Sequence, residues 1–405
     1  MTKRTLIRSQ LLMLASTLCA TLLLPGTLQA QRNYYVATEI GGYGVNDVIG
    51  VGINNRGDVV GYFAVPIGGT GMGFVYSNGH LTPIGPLPGR RNRMAGAIND
   101  SGTIVGMSGV PFLYENGQMR DITLFFGGEA GQAMGINSSG QVVGFVTINM
   151  MLAGGAFIYD ARGAAKLEWL LPPSVASNWR FDIAFDINDS GAIIAQGSTI
   201  GGNHGVIIKD GTITDLGPNS QPKAINSAGD VLGTDGAGNA LLWSGTNATY
   251  LPLSSTYLRD MNDSRQIVGS YGGVQHPFIY EQDTKFELES LILGTNTAGV
   301  TINDAPCINN NGQIVVNGTS GYDTSRRSRS FLLTPVPIIR NATNSSATTM
   351  NLTFWSMTNH TYTVQSSVEP SAWKDLTNVS GIAGDLTIPV ATTNGPQRFY
   401  RVRMD

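Results

Sequence analysis

Ile53-Asn54-Asn55-Arg56-Gly57-Asp58-Val59-Val60-Gly61 returns, with substitutions, at Ile98, Ile136, Ile187, Ile225, Met261 and Ile308. Its anchors are Asn54, Asn99, Asn137, Asn188, Asn226, Asn262 and Asn309, spaced 36 to 51 residues apart. Glycine stands three places after the Asn in six copies, and Arg265 takes that place in the sixth. An aliphatic pair follows every time, from Val59-Val60 to Ile314-Val315. Asn opens a turn by bonding its own backbone two residues on, and Gly supplies the positive φ that leaves it. This is a β-hairpin of the type I turn plus bulge length, running into a buried strand. A second glycine after the pair (Gly61, Gly106, Gly144, Gly233, Gly269) marks a close backbone approach.

Outward from the hairpin each unit continues with a third strand, such as Gly73-Phe74-Val75-Tyr76, Pro111-Phe112-Leu113-Tyr114 or Ala240-Leu241-Leu242-Trp243. A short turn and a fourth strand follow, as in Gly211–Gly217. Four short strands every 40-odd residues, without helical periodicity, predict an all-β chain: a seven-bladed β-propeller. The seventh unit ends at Leu333-Thr334 without a fourth strand, while residues 34–41 form a strand ahead of the first unit. Pairing the two closes the ring and removes two exposed edges. A β-solenoid, the rival architecture, has shorter coils and leaves the split seventh unit unexplained.

The Ile-Asn-x-x-Gly-x-Val-Val-Gly core resembles that of the extracellular His-Ala-Phe (HAF) repeats. The tripeptide is degenerate here, as in His276-Pro277-Phe278, His204-Gly205-Val206 and Ala156-Phe157. The resemblance covers about Tyr34 to Pro335 and implies an exported bacterial repeat protein; it brings no catalytic residues.

Residues 1–30 read as a secretory signal: Lys3, Arg4 and Arg8, then an apolar run from Leu11 to Leu24, then Pro25-Gly26 and a small Ala30. The expected address is extracellular, cell surface or periplasm, with no membrane span once the signal is removed. Of two Cys, Cys19 lies in the signal and Cys307 reads as an inert buried thiol. With 25 Lys+Arg against 28 Asp+Glu in 405 residues, the net charge of −3 speaks against a nucleic-acid partner. A 41% hydrophobic, 13% charged composition speaks against disorder. The domains read as 1–30 signal peptide, 31–337 propeller closed by strand 34–41, and 338–405 a C-terminal module. Tyr362–Ser367, Trp373 and Arg398–Val402 resemble a small fibronectin-III-like β-sandwich.

For chemistry the reading is sparse. The four His stand in no metal-binding pair, and neither Gly-x-Ser-x-Gly nor His-Glu-x-x-His occurs. No catalytic, metal or cofactor residues are therefore expected. Turns such as Asn99-Asp100-Ser101-Gly102 hold one carboxylate each, too few for calcium. Two insertions interrupt the repeat and offer binding residues: Arg90, Arg91 and Arg93 in one, Trp179 and Arg180 in the other. The sequence thus predicts a secreted or cell-surface binding scaffold, not an enzyme, with an extracellular glycan or protein as partner. A propeller-based polysaccharide lyase or glycosidase is the alternative. The ligand and the oligomeric state are not legible.

Overall fold

In a computed structural model, the structure describes residues 34–41, 47–64, 72–85, 87, 94–122, 130–148, 151–254, 256–272, 276–321, 327–336, 339–346, 348–356, 361–368, 373–382, 384–391 and 399–404. The expected signal segment lies outside them. The chain is all-β, in many small sheets, and divides into two compact units, Tyr35–Thr334 and one containing Pro335–Asp405.

Within Tyr35–Thr334 each repeat folds as an antiparallel meander. In the first, Val48–Ile53, Val59–Phe63, Met72–Ser77 and His80–Pro83 lie side by side in chain order. The first strands of the next five sheets are Met94–Ile98, Ala130–Ile136, Arg180–Ile187, Gln221–Ile225 and Thr256–Met261. The last sheet runs Ile292–Leu293, Tyr35–Glu39, Arg327–Pro335, Ile314–Ser320, Val300–Ile308. Its second member comes from the start of the described chain, and Ile40 N–H donates to Ser330 O at 2.9 Å.

The recurrent residues act through the turn and the strand behind it. Asn54 Oδ1 accepts from the N–H groups of Arg56 (3.1 Å) and Asp58 (2.9 Å), which closes the turn. Gly57 then takes a φ of 83°, and Arg265 holds the same left-handed conformation at 58°. A Cβ on Gly144 would stand 2.0 Å from Gln132 O, a backbone atom of the paired strand. Gly144→Ala should therefore lower stability by about 3 kcal/mol, the upper range for an overpacked interior. The denaturant midpoint measures this; an unchanged midpoint would refute the close-approach reading of these glycines.

Every first strand carries a bulge shortly before its anchor. The register slips between Gly50 and Gly52, Ala95 and Ala97, Ala133 and Gly135, Ala184 and Asp186, Pro222 and Ala224, Leu258 and Asp260, and Asp304 and Cys307. A bulge re-aims side chains that a regular strand would alternate.

The anchor Asn also does something that its turn role does not require. Its amide donates to the anchor carbonyl of the next sheet: Asn54 to Asn99 O (3.1 Å), Asn99 to Asn137 O (3.1 Å), Asn137 to Asn188 O (3.2 Å), Asn188 to Asn226 O (2.9 Å). Asn262 donates to Asn309 O (3.0 Å), and Asn309 returns to Asn54 O (2.9 Å). Asn226 turns to Asp230 Oδ2 of its own turn (3.1 Å). All seven anchors are buried, so an unmade bond here would leave a polar group without water.

In the second unit, two three-stranded sheets form: Ile339–Ser346, Thr349–Ser356 and Gly384–Ala391, and Lys374–Ser380, Thr361–Ser367 and Phe399–Met404. One apolar cluster draws on both, with Leu352, Phe354 and Val390 from the first and Tyr362 and Val364 from the second.

Candidate active site

The ring of anchors surrounds a cavity of about 210 Å³. Every anchor but Asn137 lines it, with the residues after the seven anchors, among them Asp100, Asp189 and Asp263, the apolar residue before each Asn and one further side chain, Asp186. These rim carboxylates are engaged by neighbouring sheets: Asp100 accepts from Asn55 N–H (2.7 Å), Asp189 from Ser138 N–H (2.8 Å) and Asp263 from Ser227 N–H (2.8 Å).

Asp186 belongs to a slot two places before the anchor, just past the bulge. The seven occupants are Gly52, Ala97, Gly135, Asp186, Ala224, Asp260 and Cys307. Five are small or a thiol; two are carboxylic acids, in the fourth and sixth sheets, with Ala224 between them. Space for the first comes from the third sheet, where a Cβ on Gly135 would lie 2.9 Å from Asp186 Oδ1.

Each acid ties two sheets together. Asp186 accepts from Ile187 N–H (2.8 Å) and from Ile225 N–H of the next sheet (3.4 Å). Asp260 accepts from Met261 N–H (2.8 Å) and from Ile308 N–H (2.9 Å). Both are half-buried by surface, yet enough protein surrounds them that lost hydration dominates their protonation. Burial, and then the charge of Asp260, push Asp186 up to about 7, against the donated N–H bonds. Burial pushes Asp260 up to about 6. Cys307, in the same slot, is buried; loss of water, then Asp260 and Asp304, hold its thiol well above the usual range. A carboxyl poised near neutrality beside a polar cavity is able to take and return a proton.

The residues singled out from sequence lie elsewhere. Trp179 is half-buried; its ring stacks on Phe181 (5.8 Å, 4°) and meets His204 edge-on (5.8 Å, 81°), packed on the core of the fourth sheet. Arg180 is exposed, its Nε 3.2 Å from Asp182 Oδ1. Neither lines the cavity. Arg90, Arg91 and Arg93 fall outside the described residues. Sequence reasoning passed over Asp186 and Asp260. Aligning the seven copies would have found them, as two acids in a slot otherwise kept small. Among the described residues no cluster of His, Cys, Asp or Glu is arranged to hold a metal.

No protein-family model and no curated protein matches the sequence. Among solved structures the chain is similar to a Pyrococcus horikoshii acylaminoacyl peptidase (10% identity, TM-score 0.44, 76% of this chain and 57% of that one). It is also similar to a Mycobacterium tuberculosis puromycin-hydrolyzing peptidase (9%, 0.41, 82% and 62%). A third is an acylaminoacyl peptidase in complex with Z-Gly-Gly-Phe-chloromethyl ketone (9%, 0.41, 80% and 58%). The chain thus spans about three fifths of the length of each. These neighbours are enzymes, and the expectation of a binding scaffold that is not an enzyme is corrected accordingly. The scaffold reading rested on every recurrent residue having a folding role. Asp186 and Asp260 do not recur, so it missed them. The lyase or glycosidase alternative belonged to the same reading and is set aside with it. At these TM-scores the likeness assigns no activity to this chain.

Proposed function

We propose that the chain is an exported hydrolytic enzyme whose proton-transfer group is Asp186. Its scaffold is a seven-bladed β-propeller of HAF-type repeats, followed in the chain by a small β-sandwich-like module. The Asn309-to-Asn54 bond and the Tyr35–Glu39 strand in the last sheet support the closed ring. The signal-like residues 1–30 support export.

One observation carries the chemistry: Asp186 lines the cavity with a carboxyl pushed up to about 7. In the ionised form it takes a proton from a water molecule as that water attacks the substrate. The same carboxyl then returns the proton to the leaving group, so its protonation state is restored. Asp260 does not line the cavity; it is a positioning residue whose charge keeps Asp186 basic enough for this work.

The test is a panel of peptide p-nitroanilides and p-nitrophenyl esters followed from pH 5 to 9. At least one class should turn over, with a rate that rises through pH ~7 as Asp186 ionises. Asp186→Asn should lower kcat by roughly 100-fold or more, the usual worth of a general base. Asp260→Asn should shift the pH profile downward while retaining activity. No turnover across the panel, or a full rate in Asp186→Asn, would overturn the proposal.

A further inference from the structure

Six of the seven seams between neighbouring sheets carry the anchor bond, and the seam between the fifth and sixth sheets does not. Among the described residues no bond joins Asn226 to Asn262; the Asn226 amide stays on Asp230 Oδ2 of its own turn (3.1 Å). The slot two places before the anchor offers no tie there either. Asp186 and Asp260 each accept an N–H from the following sheet, at Ile225 and Ile308. Ala224, which holds that slot in the fifth sheet, has no polar side-chain atom to reach the sixth.

A charged pair stands where those bonds are missing. Arg265, in the turn of the sixth sheet, reaches back to Asp230 of the fifth: Nε to Oδ2 at 2.8 Å, and a terminal nitrogen to Oδ1 at 3.1 Å. Arg265 occupies the place of the turn glycine in the other six copies and holds a φ of 58°, which strains a residue with a Cβ. Such strain persists where a contact compensates it, and the two-pronged pair with Asp230 is that contact. The Asp230 carboxylate is buried while the Arg265 side chain is largely exposed, so solvent reaches the pair from one side. Ala224 and Leu232 share an apolar cluster with Leu258 and Met261 across the same seam. That packing holds the sheets together but fixes no register, because apolar attraction is non-directional.

We propose that the ring opens at the seam between the fifth and sixth sheets, with Arg265 and Asp230 as its latch. The seam lies between the two acids, since Asp186 belongs to the fourth sheet and Asp260 to the sixth. Parting the fifth sheet from the sixth moves Asp260 away from Asp186 and admits water to both. As a regulator of the proton-transfer group the latch rests on the hydrolase reading; as the opening point of the ring it rests on the bonds alone.

Hydrogen exchange of the full chain, without substrate, tests it at four matched backbone amides. Asn55 donates to Asp100 Oδ1 (2.7 Å), Ser138 to Asp189 Oδ1 (2.8 Å), Ser227 to Asp263 Oδ1 (2.8 Å) and Asn310 to Asn55 Oδ1 (2.9 Å), each across one seam. Of the four, Ser227 spans the seam in question, and in the native chain it should be protected at least tenfold less than the other three. Arg265→Gln keeps the Cβ and removes the charge; it should lower protection at Ser227 by a further tenfold and leave the other three unchanged. Arg265→Lys should keep most of the native protection. If Arg265→Gln does not fold, Arg265→Gly, with the residue of the other six copies, reads the same loss without the strain. Equal protection of the four amides, or a Ser227 amide indifferent to removal of the Arg265 charge, would overturn the latch. Absence of turnover on the anilide and ester panel would overturn the hydrolase and leave these rates untouched.

Discussion

Raising the pH from 5 to 8 should remove about 3 kcal/mol from the unfolding free energy of Tyr35–Thr334, and Asp186→Asn should abolish most of that loss. The sign follows from the two acids. A carboxyl held at about 7 or about 6 in the folded chain, and near ~3.9 once unfolded, keeps its proton longer when folded. Between those values the folded state binds more protons, so stability falls as pH rises. Each unit of difference is worth about 1.4 kcal/mol. Asp186 has roughly two units left to lose above pH 5 and Asp260 roughly one, and solvent in the cavity trims the sum.

Other carboxylates do not mask this window. Asp58 and Asp230 sit below the usual range; burial opposes this, but bonds from Ser77, Asn54 and Arg56 to the one, and from Ser244, Arg265 and Asn226 to the other, prevail. Their contribution is lost only as pH falls below about 4. Denaturant unfolding of the native chain and of Asp186→Asn at pH 5, 6, 7 and 8 reads the difference. Asparagine keeps one acceptor, for Ile187 N–H or Ile225 N–H, and turns its amide NH2 to the other, so at pH 5 the variant should be the less stable chain, and that deficit should shrink or reverse by pH 8. A flat profile in the native chain would show that the pair is hydrated and unable to tune a proton.

The hairpins were legible because each is local: Asn, Gly and an aliphatic pair decide a turn and the strand after it within nine residues. The amide of the same Asn was not legible in its second role, since Asn309 meets Asn54 only once 255 residues of chain have come round. The active-site candidate was hidden for a related reason. Asp186 in isolation is one acid among many, and what makes it unusual is burial beside Asp260, which only the packed sheets supply. Trp179 drew notice by its place in an insertion, yet its ring packs on Phe181, as a large apolar side chain does when a core surface is within reach.

Tyr35→Ala should cost about 4 kcal/mol, more than the change of any one outer-strand side chain, because it loosens the strand that joins the two ends of this unit. Tyr35 and Ala37 are fully buried, as is Ile40 just beyond the strand. Tyr35 and Val36 pair in parallel with Ile292 and Leu293 on one side, and Arg327–Pro335 lies on the other. Asn296 Nδ2 donates to Ala37 O at 2.7 Å, and Arg329 pairs with Glu39. Ile40 shares a cluster with Val48, Val59 and Phe74 of the first sheet and with Cys307, Val315 and Leu332 of the last. Joining Glu39 to Arg329 closes a loop of 290 residues, at an entropy cost of about 5 kcal/mol that no local contact repays. The strand's packing has to offset that cost. Once the alanine cavity is subtracted, the ring bonds at Asn309 should begin to open before the rest of the unit. Hydrogen exchange reads this at the backbone amides that bond between the first and last sheets: in Tyr35→Ala, protection at Gly50, which donates to Ser330 Oγ, and at Asn310, which donates to Asn55 Oδ1, should fall ahead of that at Ile193 or Val231. If those amides keep native protection while global stability drops, the strand stabilises its own sheet and does not close the ring.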